Sequence, residues 1–431
     1  MPRTVLIVSE DRVGEAMGGA AIRAYEIART LSDVADVTLA APGTRPPGLD
    51  PARHVPFDLD NPRPLRGLLA TADVVIMRPP GPVVAGWLRA SDARVVYDLC
   101  DPLPLDILEA QASSSRERQL LWSTVALDHF LEALSSGHHF ICSGRRQRDL
   151  YLGALLASRL ISPAAYKADP SFRSFIDQVP FGIPAEAPQR VEGAGPKARL
   201  AGIGEEDQIV LWNGGIWNWL DPVTAVEATV KAAERNPRVR LVFMFTRGAL
   251  ADGPETSQAR AAHALADRLG ALDRLVFFND GEVSYAERAT WLMDADCLIS
   301  THFDHLESNF AFRTRLLDCF WVGVPAVSTA GDELSELIER CDGGVSVPHG
   351  DSDALADAIV EVLGRGRDAY RERLLAAGAD LVWPTAVEPL RRIVQLPGPP
   401  RALGDPWARR LSRPLQRGRA TAIRLVRSVR R

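Results

Sequence analysis

The chain has 431 residues, 46% of them apolar and 24% charged, with a formal net charge of −5. At about 150 residues per domain this predicts two or three domains, each able to bury a core without disulfide or metal staples. The balance excludes collagen-like, fibrous and disordered classes, and no run reaches the ~20 apolar residues that span a bilayer.

In chain order, Val5-Leu6-Ile7-Val8 is a short β-branched run of the kind a buried parallel strand needs. A strand this close to Met1 is no signal peptide, so the expected location is cytoplasmic. Met17-Gly18-Gly19-Ala20 follows, and Ile22, Tyr25, Ile27, Ala28 and Leu31 then recur at helical spacing. Further strands are predicted at 37–40, 74–77, 95–97 and 139–142, with helical stretches between them. Residues 184–205 are rich in Pro, Gly and Ala and read as a linker. The alternation restarts at 209–212 and continues at 241–244, 275–278, 297–300 and 325–328. Strands alternating with helices give βαβ units, hence an α/β fold of two Rossmann-like domains facing across a cleft. The division predicted is 1–185, a linker at 186–205, a second domain at 206–385, a helix at 386–400 returning to the first domain, and a tail at 401–431.

Three loops carry chemistry. Gly18-Gly19, between the first strand and first helix, lets backbone N–H groups approach an anion at a helix end; the plain alternative is a tight turn. It is not the G-x-G-x-x-G fingerprint, and no strand-end acid is placed for a nicotinamide ribose, so a dehydrogenase is a poor reading. Trp212-Asn213-Gly214-Gly215-Ile216-Trp217-Asn218-Trp219-Leu220-Asp221-Pro222 opens the second domain with paired glycines, three tryptophans and an Asp-Pro helix cap. The tryptophans read as a cleft wall or as core. The third stretch runs from Glu307 to Pro325. There Arg313 and Thr314 should start a helix, so that free N–H groups and two guanidiniums converge as a diphosphate needs. Asp318, about a turn on, suits ribose hydroxyls; the alternative is a solvated Arg–Asp face.

Five scattered cysteines and eight histidines form no ligand spacing, which argues against a metal site. Residues 401–431 carry ten arginines and one acid, a net of +9, leaving 40 cations against 54 acids in the remaining 400. An acidic body with a basic tail is no nucleic-acid binder. The tail reads as a basic amphipathic segment for an anionic membrane surface, or as a solvated extension.

These loops resemble the family-4 retaining glycosyltransferases of GT-B architecture, over roughly residues 4–395. Gly-Gly-Ala-Ala-Ile-Arg resembles that family's N-terminal glycine loop, Val179-Pro-Phe-Gly-Ile-Pro184 its V-P-x-G hinge, and Phe310 to Pro325 its Glu-x7-Glu segment closed by G-x-P. Asp318 falls on the second glutamate and Phe310 on the first. Gly214-Gly215-Ile216 and Trp219 replace the family's Arg and Lys pair. Asp98-Leu-Cys-Asp101-Pro stands where a histidine is usual.

The resemblance implies transfer from a nucleotide-diphosphate sugar with retention of configuration and no essential metal. The acceptor would be a glycan, a lipid-linked glycan or a small molecule. Under it, Gly18, Gly19, Gly215, Arg313, Thr314 and Arg315 hold the diphosphate and Asp318 the ribose. Glu307 and Asp101 are the catalytic candidates, and Arg23, Asp98 and Trp217 touch acceptor or sugar. The tail would then hold the enzyme peripherally on the inner membrane face. Two other readings share the architecture: a nucleotide-sugar 2-epimerase, and a non-catalytic partner protein.

Overall fold

The computed structural model describes residues 2–112, 114–245 and 255–397. The first lobe holds β1 (Thr4–Val8), β2 (Asp36–Ala40), β3 (Arg53–Val55), β4 (Val74–Met77), β5 (Arg94–Asp98), β6 (His139–Cys142) and β7 (Ile176–Gln178). They form one sheet in the order β3-β2-β1-β4-β5-β6-β7, parallel throughout. The second lobe holds β8 (Gln208–Trp212), β9 (Val239–Phe243), β10 (Val276–Phe278), β11 (Cys297–Ser300), β12 (Ala326–Thr329) and β13 (Gly344–Val347). Their order, β10-β9-β8-β11-β12-β13, repeats the first and is again parallel. Two tandem α/β units are what the sequence pattern predicts.

Both faces of the first sheet are covered. Val5 and Ile7 of β1 enter one apolar cluster, Leu6 and Val8 another, as a two-residue side-chain period requires. The cluster holding Val5 and Ile7 runs on through Phe181, Ile183 and Trp383 into the second lobe.

The helices that bear on the cleft are α1 (Gly19–Leu31), α2 (Leu103–Ala110), α3 (Arg145–Ala157), α4 (Pro222–Ala233), α5 (Arg288–Asp294), α6 (Leu306–Phe310), α7 (Leu317–Val322), α8 (Glu333–Arg340) and α9 (Glu388–Gln395). Asp221 caps α4 through the amide of Thr224, as its Asp-Pro signature predicts. The chain crosses between lobes twice, side by side. Ile183 and Val382 form a parallel bridge, with Ile183 N–H donating to Leu381 O at 2.9 Å and Trp383 N–H to Ile183 O at 3.0 Å. After the second crossing, α9 packs on the first lobe, where Arg391 pairs with Asp33 at 2.7 Å and donates to Thr30 O.

Residues 186–205 are less loose than their composition suggests. They include a short helix at Pro196–Arg199, and Arg190 pairs with Asp294 of the second lobe at 2.5 Å.

Candidate active site

In each sheet the strand order reverses beside the first strand, between β1 and β4 and between β8 and β11. Such switch points open crevices at the carboxyl ends of parallel strands. The loops after β1 and β8 occupy them and face one another across a shared cavity. On the first-lobe side, α1 starts at Gly19 with Gly18 as a side-chain-free cap and no acid in its first turn. Its leading N–H groups and positive end therefore meet no carboxylate from the helix's own first turn.

On the second-lobe side, Arg315 lies over the Trp212 ring at 4.8 Å and donates to Gly215 O at 2.9 Å. A Cβ on Gly214 would sit 3.2 Å from the guanidinium, so glycine leaves it room. Its Nη1 is buried and finds no partner in the protein. Burial, together with the neighbouring Arg313, pushes the Arg315 pKa down to about 9. A cation in this condition is short of a counterion. Thr314 and Asp318 line the same cavity. Asp318 accepts from Asn213 Nδ2 at 2.7 Å and pairs with Arg288 of α5. Trp217 is 42% exposed and stacks on Trp219 at 5.5 Å, giving the cavity a flat aromatic flank.

A second group of charges lies outside the lining of that cavity, where Asp106 of the first lobe feels Glu307 and Arg313 of the second. Asp101 pairs with Arg78 at 3.0 Å. Asp106 of α2 is pushed up to about 8 by burial, with Asp101 and Glu307 adding to it. Glu307 is held across 2.7 Å by Arg313, and both are buried. His302, after β11, accepts or donates at Thr329 Oγ1 over 2.6 Å, and burial with Arg313 nearby pushes its pKa down to about 2.

The structure brings together Gly18, Gly19, Gly215, Thr314, Arg315, Asp318 and Trp217. It corrects other expectations. Arg23 is 1% exposed and turned into the first lobe, binding Asp98 through two nitrogens at 2.6 and 3.0 Å and Val179 O at 2.8 Å. The charges of Arg23 and Asp98 are thus met by each other inside the first lobe, and neither side chain lines the cavity, although Arg23 Nη1 makes no hydrogen bond. Arg313 does not line the cavity with Arg315; its charge is met by Glu307, which likewise is not a free carboxylate. The predicted helix start is a 3-10 turn, Thr314–Leu316, that feeds α7. Among the tryptophans both readings hold, since Trp212 is fully buried while Trp217 faces the cleft. The tail at 401–431 lies outside the described residues.

Arg288, Asn213 and Tyr285 line the cavity without having been anticipated. Asn213 had a usable signal, standing between a strand and paired glycines. Arg288 had none: one more arginine in a chain whose cations are nearly all arginine. Among the described residues, no group of three His, Cys, Asp or Glu could hold a metal ion, and no helix is long and apolar enough to cross a membrane.

Residues 208–365 match the family model described as "Glycosyl transferases group 1". Over 119 residues the chain is 30% identical to a phosphatidyl-myo-inositol mannosyltransferase of Mycobacterium leprae, a match that spans 27% of this chain and 30% of that relative's length. Among solved structures, Anabaena Alr3699/HepE in complex with UDP-glucose aligns with a TM-score of 0.63 at 16% identity, covering 91% of this chain and all of that one. The glycosyltransferase WaaG, involved in lipopolysaccharide biosynthesis, aligns at 0.59 and 14% identity, covering 91% and 99%. Sucrose-phosphate synthase from Thermosynechococcus elongatus aligns at 0.59 and 16%, covering 91% and 98%. At such identities the likeness is one of fold: the chain has the two-lobed GT-B architecture.

Proposed function

We propose that this chain is a glycosyltransferase of the family-4 type, moving a sugar from a nucleotide-diphosphate sugar to an acceptor hydroxyl with retention of configuration. The observation that carries the reading is Arg315, a buried guanidinium with an unpartnered nitrogen, facing the uncapped end of α1 across a cavity. A dianionic diphosphate would satisfy both. Breaking the bond between the anomeric carbon and phosphate develops negative charge on the departing diphosphate. Preorganised donors aimed at that charge lower the barrier more than any other single device. Arg315, Thr314 and the amides at Gly18, Gly19 and Gly215 are assigned this task, without a resident metal.

Asp318 is the candidate ribose contact. It would trade part of its present hydrogen bonding with Asn213 and Arg288 for the sugar hydroxyls. Asp101, half-buried and paired with Arg78, is assigned to positioning the acceptor. Glu307 is assigned to holding Arg313 rather than to direct chemistry. Matching over residues 208–365 supports the donor half of this reading, because that range holds the Arg315 side of the cavity.

The test is a thermal-shift and calorimetric screen with UDP, GDP, dTDP and ADP, followed by product analysis of the matching sugar nucleotides. Stabilisation by one nucleoside diphosphate, with product formed only when an acceptor is present, supports the reading. Conversion of the sugar nucleotide alone would mean a 2-epimerase, and no nucleotide binding at all would mean a silent homologue.

A further inference from the structure

Helix α3 begins after Gly144, which has an extended backbone and no side chain with which to cap it. The cap comes from the other lobe. The Glu333 carboxylate accepts from the backbone N–H of Arg146 at 2.6 Å and of Arg145 at 3.2 Å. A Cβ on Gly144 would lie 2.5 Å from that carboxylate, so glycine is what admits it. Glu333 is itself the first residue of α8, whose start is fixed by the buried capping box of Asp332 and Ser335. Two helix N-termini from different lobes therefore share one carboxylate. Their positive ends would repel each other without an anion between them.

Arg146 returns the contact. Its guanidinium donates to the Glu336 carboxylate, to Gly331 O and to Asn309 O, all in the second lobe. As an isolated, half-exposed ion pair this would be worth little. Here it joins two bodies. At β1, three strands from β6, the lobes also meet through Tyr285, which donates from its hydroxyl to Glu26 at 2.7 Å and from its N–H to Glu15 O.

We infer that Glu333, Gly144 and Arg146 form a closing latch between the lobes, in which a carboxylate from the second lobe caps a helix of the first. With it closed, Asp106 of the first lobe lies within electrostatic reach of Glu307 and Arg313 of the second. Glu333 and Arg146 are positioning residues. The latch does not depend on which reaction the cleft performs.

The experiment uses the full chain and the variants Glu333→Gln, Glu333→Ala, Arg146→Ala and Gly144→Ala. Each is followed by small-angle X-ray scattering and amide hydrogen exchange, alone and with UDP or GDP. Gly144→Ala wedges the latch from the opposite lobe, so it separates opening from any local fault at Glu333. Exchange at the amides of Arg145 and Arg146 should quicken about tenfold in Glu333→Ala, the factor of a typical lost N-cap. The radius of gyration should rise in Glu333→Ala, Arg146→Ala and Gly144→Ala and fall between in Glu333→Gln, with unfolding temperatures unchanged. Scattering curves that superimpose on the wild type, or a wild type as extended as the variants under every condition, would overturn the latch.

Discussion

Replacing Arg315 by Met should move two quantities in opposite directions. The side chain keeps its length against Trp212 and loses the charge. In the free protein burial, with Arg313 beside it, pushes the guanidinium pKa down to about 9. At 1.36 kcal/mol per unit this bounds the cost of holding the charge there at about 5 kcal/mol. Remaining solvent contact and the lost hydrogen bond to Gly215 reduce the net return, so a gain of about 1–2 kcal/mol in free-protein stability is expected. Donor binding should suffer. Two charge-assisted hydrogen bonds to phosphate oxygens are worth roughly 3–6 kcal/mol together, which is a loss of about 10²–10⁴ in affinity. Calorimetry with the nucleoside diphosphate the wild type binds best, beside thermal unfolding without ligand, reads both. If Met lowers the unfolding temperature and leaves nucleotide affinity intact, Arg315 is a structural cation and the diphosphate site is elsewhere.

Arg23→Met should destabilise the protein by about 3–5 kcal/mol, because Asp98 is left buried without its partner, yet leave nucleotide affinity within twofold. A nucleotide defect in a folded Arg23→Met protein would restore Arg23 to the site. Glu307→Ala should likewise cost about 3 kcal/mol in chemical denaturation, and adding Arg313→Ala should cost less than the sum of the two single changes; strict additivity would mean the pair is not coupled. Because the folded-state pKa of Asp106 lies at about 8, above its unfolded value, the native protein binds the extra proton between these values and loses stability as pH rises through them. Thermal unfolding from pH 5 to 9 should show that fall, and Asp106→Asn should flatten it; an unchanged slope would remove Asp106 from the cluster.

The parts of the fold that sequence reveals are those buried on two sides. Central strands such as Val5-Leu6-Ile7-Val8 and Val74-Val75-Ile76-Met77 are continuous apolar runs because helices cover both faces. The strands missed, Arg53–Val55, Ile176–Gln178 and Gly344–Val347, are all at sheet edges, short and partly polar. There one neighbour is absent and the apolar run is not required. Chain position after a strand was enough to bring Gly18, Gly19, Gly215, Thr314, Arg315 and Asp318 to one cavity. What composition could not reveal was where each guanidinium finds its counterion. Arg23 and Arg313 look like Arg315 on paper, but Asp98 and Glu307 already neutralise them, and the first of those partners is 75 residues away. Arg288 presents the converse case, a cavity residue with nothing local to mark it.

The paired crossings at Ile183 and Val382 have a mechanical consequence. A single connecting strand can bend and also twist, whereas two strands hydrogen-bonded side by side resist torsion and leave bending as the soft direction. Any change in the angle between the lobes would then follow that one bend and return the same side chains to the same facing pairs. Cutting the chain at either crossing would leave the second lobe on one strand, free to rotate, and the meeting of the two lobes at the cleft would become a matter of chance.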